Sequence, residues 1–290
     1  MEFKNHLMKT KILIPIDFSK NSLNALIYAT ELYTNKVCEF YVVNAYYRSG
    51  FSADSLLIPK PDDDTLHKMK SASENNMDSV KKYLESLPKD WAHTFHFYSE
   101  FGSLLDVLKD QVEKKDIELI VMGAKGENNS QNLVYGSRTV SIMEKVRNCP
   151  VLVIPHNTQS KYPNEIVFPT NYATHYKHAE LNHLIEISKI SHAPVRILHV
   201  TNANELSIEQ KENKELLKEI FTGIEYTFHT LTGNEVELGL RHFIESRQSG
   251  MIAFINKKHK FFDSIFSKPL VKDMGNAMIV PILALHDLNG

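Results

Sequence analysis

The segment Lys11-Ile12-Leu13-Ile14-Pro15-Ile16-Asp17-Phe18-Ser19 recurs as Glu165-Ile166-Val167-Phe168-Pro169-Thr170-Asn171-Tyr172-Ala173: an apolar run, a proline, then a polar residue in the same register. A chain that repeats a unit folds that unit twice, so this correspondence constrains the architecture more than any other feature. A helix-length stretch follows in each copy, at 21–33 and 177–190; the first carries Leu23, Leu26 and Ile27 at helical spacing behind Ser19 as N-cap. Phe40-Tyr41-Val42-Val43-Asn44 then matches Val195-Arg196-Ile197-Leu198-His199, and a long charged helical stretch follows each. Residues 94–98 and 226–230 are short β-prone runs, each leading to a glycine and a helix, and Ser103 with Asp106 makes a capping-box-like start. A fourth apolar run at 117–122 matches 251–255, and a fifth at 150–154 matches 281–285.

Near-continuous apolar strands separated by helices predict parallel sheets covered on both faces, because each crossover helix packs back onto its sheet. The expected fold class is therefore α/β, with two tandem doubly wound five-stranded sheets. A first domain is expected over 1–156 and a second over 164–290, joined through the polar, proline-bearing stretch HNTQSKYPN. At 290 residues and 42% hydrophobic content, two medium cores are within reach.

Charge and composition narrow the function classes. Thirty-three basic against 35 acidic residues give a net charge of -2, so neither nucleic acid nor a membrane surface is expected as a partner. The first apolar run ends at Asp17, too soon for a signal-peptide core or a membrane span, which predicts a cytoplasmic protein. Cys38 and Cys149 lack CxxC spacing and read as buried small residues. The 14 histidines show no HExxH and no clustered ligand spacing, so no metal site is expected from them. Pro61-Asp62-Asp63-Asp64 reads as a solvated helix start, Lys211-Glu212-Asn213-Lys214-Glu215 as an exposed helical face, and Trp91 as packing.

In open α/β sheets ligands bind beyond the carboxyl ends of the strands, which directs attention to the loops after strands one and four. The loop after strand four reads Gly123-Ala124-Lys125-Gly126, nine residues, then Gly136-Ser137 at a helix start: G-x2-G-x9-G-S. Glycines admit phosphate oxygens close to the backbone, and a helix start offers unpaired N–H groups and a favourable dipole. Together with Pro15-x-Asp17-x-Ser19 after strand one, this motif resembles the universal stress proteins.

That resemblance covers nearly the whole chain, twice. It implies a five-stranded parallel sheet in order 3-2-1-4-5, the adenine nucleotide alpha hydrolase-like arrangement, and pairing of the two repeats through their last strands, as in a dimer fused into one polypeptide. In the motif-bearing branch it implies ATP as ligand, with or without Mg²⁺. Carried over by position, Pro15 and Asp17 stand at the nucleoside end, and Ala45 beside the adenine, where the family commonly has valine. Met122, Gly123, Gly126, Gly136, Ser137 and Thr139 would surround ribose and phosphates, with Arg138 either pairing with a phosphate or facing solvent.

The second copy departs from this pattern. Asn171 stands where Asp17 stood, Asn256-Lys257-Lys258-His259 replaces Gly-x2-Gly, and Ser267-Lys268-Pro269 replaces Gly136-Ser137. Pro15 and Pro150 are 135 residues apart, but Pro169 and Pro281 only 112. The second site is expected to be degenerate, its role being to pair with the first half.

Three function classes follow. The first is a regulatory or stress-response protein holding ATP in its N-terminal half, with no catalytic residues needed. The second is a slow Mg²⁺-dependent ATPase in which Asp17 helps place the metal and the Gly136-Ser137 helix start stabilises developing charge. The third is an interaction module whose pocket Asn44 and Tyr46 obstruct. The absence of GxxxxGK[ST], GxGxxG and GxSxG removes the signatures of P-loop hydrolysis, dinucleotide redox chemistry and α/β-hydrolase catalysis. Association into a homo-oligomer through exposed surfaces is left open.

Overall fold

A computed structural model describes residues 9–46, 62–88, 91–125, 135–158, 161–233, 235–256 and 280–286. The first half runs β1 (Thr10–Pro15), α1 (Lys20–Leu32), β2 (Cys38–Tyr46), α2 (Asp63–Ser86), β3 (Thr94–Phe101), α3 (Leu104–Lys115), β4 (Leu119–Gly123), α4 (Ser137–Lys145) and β5 (Val151–Ile154). The second half follows with β6 (Ile166–Pro169), α5 (His178–Ser191), β7 (Val195–Thr201), α6 (Ile208–Ile220), β8 (Tyr226–Thr232), α7 (Val236–Arg247), β9 (Met251–Asn256) and β10 (Ile282–His286).

The two expected five-stranded sheets are present and join edge to edge into one. Its ten strands run β3-β2-β1-β4-β5-β10-β9-β6-β7-β8, so each half contributes the order 3-2-1-4-5 and the two sets meet at their fifth strands. Within each half the pairing is parallel; across the seam Ile282, Leu283 and Ala284 run antiparallel to Val153, Leu152 and Val151.

The central strands β1, β4, β5, β6, β9 and β10 are apolar on both faces because both faces are covered, whereas the edge strands β3 and β8 alternate with polar residues and are only half-buried. Along β1, Ile12 and Ile14 point into one core with α1 and α2, and Leu13 into the other with α3 and α4. Each core continues across the seam: the first takes in α5 and α6, the second α7. No helix among the described residues is long and apolar enough to cross a membrane.

The helix starts follow their local chemistry. Ser19 Oγ accepts the amide of Ser22, Asp62 that of Thr65, Ser103 that of Asp106 and Ser207 that of Gln210, each filling an orphan donor of a first turn. Trp91 stacks on His93, with ring centroids 6.0 Å apart. Both cysteines are buried, and burial pushes the Cys38 thiol up to about 12.

The Lys211–Glu215 segment is not exposed throughout. Asn213 is buried and its side-chain amide donates to the Tyr172 carbonyl at 2.8 Å, a polar group the turn after β6 leaves without a backbone partner.

Candidate functional site

The sheet order reverses between β1 and β4, which opens a crevice beyond their carboxyl ends. On the β1 side the chain turns sharply. Phe18 sits at φ 65°, and the turn is held by Asp17 Oδ1, which accepts the Ser19 amide at 3.2 Å and the Ser19 hydroxyl at 2.6 Å. The Asp17 amide in turn donates to Ser22 Oγ at 3.3 Å. Asp17 itself is exposed at the crevice, whereas Pro15 is buried opposite Val43.

On the β4 side, Gly123 closes the strand so tightly against α1 that a Cβ there would lie 3.0 Å from the Asn21 carbonyl oxygen. The Asn21 side chain donates to the Lys125 carbonyl at 3.2 Å, joining the two loops. Lys125 is half-buried, and that burial lowers the pKa of its ammonium. It stands in the candidate loop between the motif's first two glycines, which the glycine spacing alone does not single out. A cation inside a glycine-rich loop was the available signal.

The two parts of the glycine motif meet directly. The Gly136 amide donates to the Ala124 carbonyl at 2.8 Å, so the helix start lies against the end of β4. Gly136 is the N-cap of α4, at φ -67° and ψ 148°, and supplies no side-chain cap bond to the first turn. Ser137 and Arg138 are exposed beside it. Thr139 is buried and its hydroxyl donates to the Gly123 carbonyl at 3.3 Å, so its side chain fastens α4 to β4. Met122 is also buried, within the core that backs α3 and α4. Gly126 lies outside the described residues.

Ala45 stands two residues beyond Val43 on β2, half-buried opposite Glu100 of β3. Its neighbour Asn44 is not a free obstruction. Its amide donates to the Ile16 carbonyl at 2.6 Å, and its carbonyl oxygen accepts the Ser73 hydroxyl at 2.7 Å. It ties the end of β1 to α2. Tyr46 packs against Phe101 at 5.8 Å between ring centroids.

The second half repeats the turn with different residues. Asn171 Oδ1 accepts the Ala173 amide at 3.0 Å, Tyr172 sits at φ 55°, and His199 Nδ1 donates to the Thr170 carbonyl at 2.8 Å, where Asn44 served Ile16. The loop 170–177 has eight residues against four in 16–19, and it buries Tyr172 and Tyr176.

One correspondence from the sequence shifts by a residue. Leu119 lies opposite Ile12 and Met251 opposite Ile166, so Ile255, not Asn256, occupies the place of Gly123. Ile255 is half-buried there and packs against the core that takes in α5 and α6. The segment 257–279, with Ser267-Lys268-Pro269, lies outside the described residues.

Comparison with known proteins agrees with this architecture. The chain is 28% identical over 149 residues to a universal stress protein of Methanocaldococcus jannaschii, covering 50% of this chain and 81% of that one. The crystal structure of a universal stress protein from Archaeoglobus fulgidus DSM 4304 shares the fold with a TM-score of 0.67 at 17% identity, over 95% of this chain and 96% of that one. A functionally unknown protein from Pseudomonas aeruginosa PAO1 gives a TM-score of 0.59 at 10% identity, over 96% and 93%. The model of the universal stress protein family matches residues 8–155, half of the chain, and the chain belongs to that family.

Proposed function

We propose that the first half holds one adenine nucleotide, ATP accompanied by Mg²⁺, in the crevice beyond β1 and β4, and that the protein acts as a nucleotide-dependent regulator in a stress response. The observation that carries this reading is the 2.8 Å bond from Gly136 to Ala124, which places the uncapped first turn of α4 against the glycine loop after β4. Free N–H groups, a helix dipole and the Ser137 hydroxyl suit phosphate oxygens at such a place. Lys125, whose charge burial disfavours, gains by facing an anion.

Asp17 and Ala45 would border the nucleoside, and Gly123, Gly126, Gly136, Ser137 and Arg138 the phosphates. Thr139 would act through Gly123. Family membership and the likeness of the motif to ATP-holding members support the choice of ligand. Holding and releasing a nucleotide requires no catalytic base, and the reading needs none.

The test is calorimetric titration of ATP with Mg²⁺ into the full chain after removal of any co-purified nucleotide. One ATP per chain is expected, and Gly136→Val should abolish binding while leaving the fold, since the Gly136 backbone angles suit any residue. Two per chain would overturn the one-site reading. No binding to the unaltered protein would leave the chain an interaction module.

A further inference from the structure

The helix that opens the candidate site is not held by the first half alone. α4 has nine residues, too few to be stable without tertiary contacts, and its glycine N-cap contributes no side-chain bond. Both of its ends are tied to the second half. Just before Gly136, the Tyr135 hydroxyl donates to the Val280 carbonyl at 3.3 Å, immediately ahead of β10. In the last turn of α4, the Met143 carbonyl accepts the side-chain amide of Asn256, at the end of β9, at 3.0 Å. Met143 is among the last four residues of the helix, whose carbonyls have few partners within it, so Asn256 fills an orphan acceptor. Asn256 and Val280 are themselves buried, and Val280, Ile282 and Met143 share one core.

We propose that Tyr135 and Asn256 are positioning residues through which the second half sets the pose of the Gly136-Ser137 helix start, coupling a ligand there to β9 and β10. The inference rests on the nucleotide reading for the identity of the ligand, but the positioning itself can be measured without one. The asymmetry of the chain then has a physical use. The half that carries no glycine motif supplies the fixed frame for the half that does, and Asn256, one residue beyond the place of Gly123, donates to α4. Ligand-driven ordering of α4 would pass to β9 and β10 through two identified hydrogen bonds and a shared core.

Hydrogen exchange on the full chain tests this. Without ligand, Tyr135→Phe and Asn256→Ala should each speed exchange of the Val140 amide, which bonds the Gly136 carbonyl at 3.1 Å, by about five- to tenfold, leaving the Leu23 amide in α1 unchanged. Tyr135→Phe keeps the ring and therefore the packing, so it gives the answer if Asn256→Ala fails to fold. With ATP, the unaltered protein should slow exchange in β9 and β10, and the double variant should lose that effect and bind about tenfold more weakly. Unchanged Val140 exchange in Tyr135→Phe would overturn the positioning role. ATP binding that leaves β9 and β10 exchange untouched would overturn the coupling. Failure of ATP to bind the unaltered protein would instead sink the nucleotide reading and the coupling with it, while the ligand-free exchange still decides the positioning.

Discussion

Gly123 ends β4 at a place where a single added carbon would stand 3.0 Å from the carbonyl oxygen of Asn21. The contact is with backbone, which cannot rotate aside as a side-chain tip can. Gly123→Ala should therefore displace the start of α1 or the end of β4 and cost about 1–3 kcal/mol, the range for overpacking. Urea denaturation reads this as a lower midpoint with an unchanged slope. An unshifted midpoint would mean that the close approach of the two elements is not part of the folded state in solution.

Asp17 and Asn171 build the same turn, one with a carboxylate and the other with an amide, each accepting the backbone amide two residues on. The second half thus already contains the neutral version. Asp17→Asn should fold with a stability change within about 0.5 kcal/mol, since the capping geometry survives. Its effect should fall on Mg²⁺: the gain in ATP affinity on adding the metal should shrink. Equal metal dependence in the variant and the unaltered protein would remove Asp17 from the metal's surroundings.

Much of this fold was legible because parallel strands buried on both faces are apolar runs, and the two sets of runs align through Pro15 and Pro169. Strand periodicity did not reveal that Val153 and Ile282 pair; runs apolar on both faces say nothing of which edge they meet, and only the family likeness pointed to the seam. Asn44 is the instructive miss. Its polarity in an apolar run marked it as unusual, but the carbonyl it serves, on Ile16, is set by the left-handed turn at Phe18 that no local pattern announces. His199 performs the same duty with different chemistry, so residue type alone could not have paired them. Asn213 was hidden for a related reason: an alternating charge pattern marks a solvated face, and one amide within it turns inward to meet Tyr172.

Glu165 should make the protein acid-sensitive below pH 5. Burial works against its charge, but hydrogen bonds from Arg247, Ser249 and Arg196 outweigh that penalty and hold its carboxyl at about 2, against 4.5 ordinarily. A carboxyl depressed in the folded state contributes stability that is present above its unfolded pKa and lost as pH falls through the folded one. The loss should total about 3 kcal/mol between pH 5 and pH 2. Glu165→Gln should lower stability at pH 7, by taking the carboxylate from Arg247 and leaving Arg196 with the exposed Glu225 at 3.6 Å, and flatten the profile in that window. A profile as steep in the variant as in the unaltered protein would assign the acid sensitivity elsewhere.

His286 should act in a separate window, between pH 6.5 and pH 4. It lies on β10 beside Asn256, 3% exposed, with neither ring nitrogen hydrogen-bonded among the described residues. Burial first, and the nearby Arg147 second, lower its pKa from 6.5 to about 4. The folded protein therefore binds fewer protons than the unfolded chain throughout this window, and stability falls as the pH falls. The loss from pH 7 to pH 5 should be about 2 kcal/mol. His286→Leu keeps an apolar filling at the seam and takes up no proton, so it should be more stable than the unaltered protein at pH 7, by removing an unpaired polar ring, and its advantage should widen by that same amount at pH 5. Thermal unfolding at the two pH values measures the widening directly. If the advantage of the variant is the same at both, the imidazole is not held neutral on β10 beside β9.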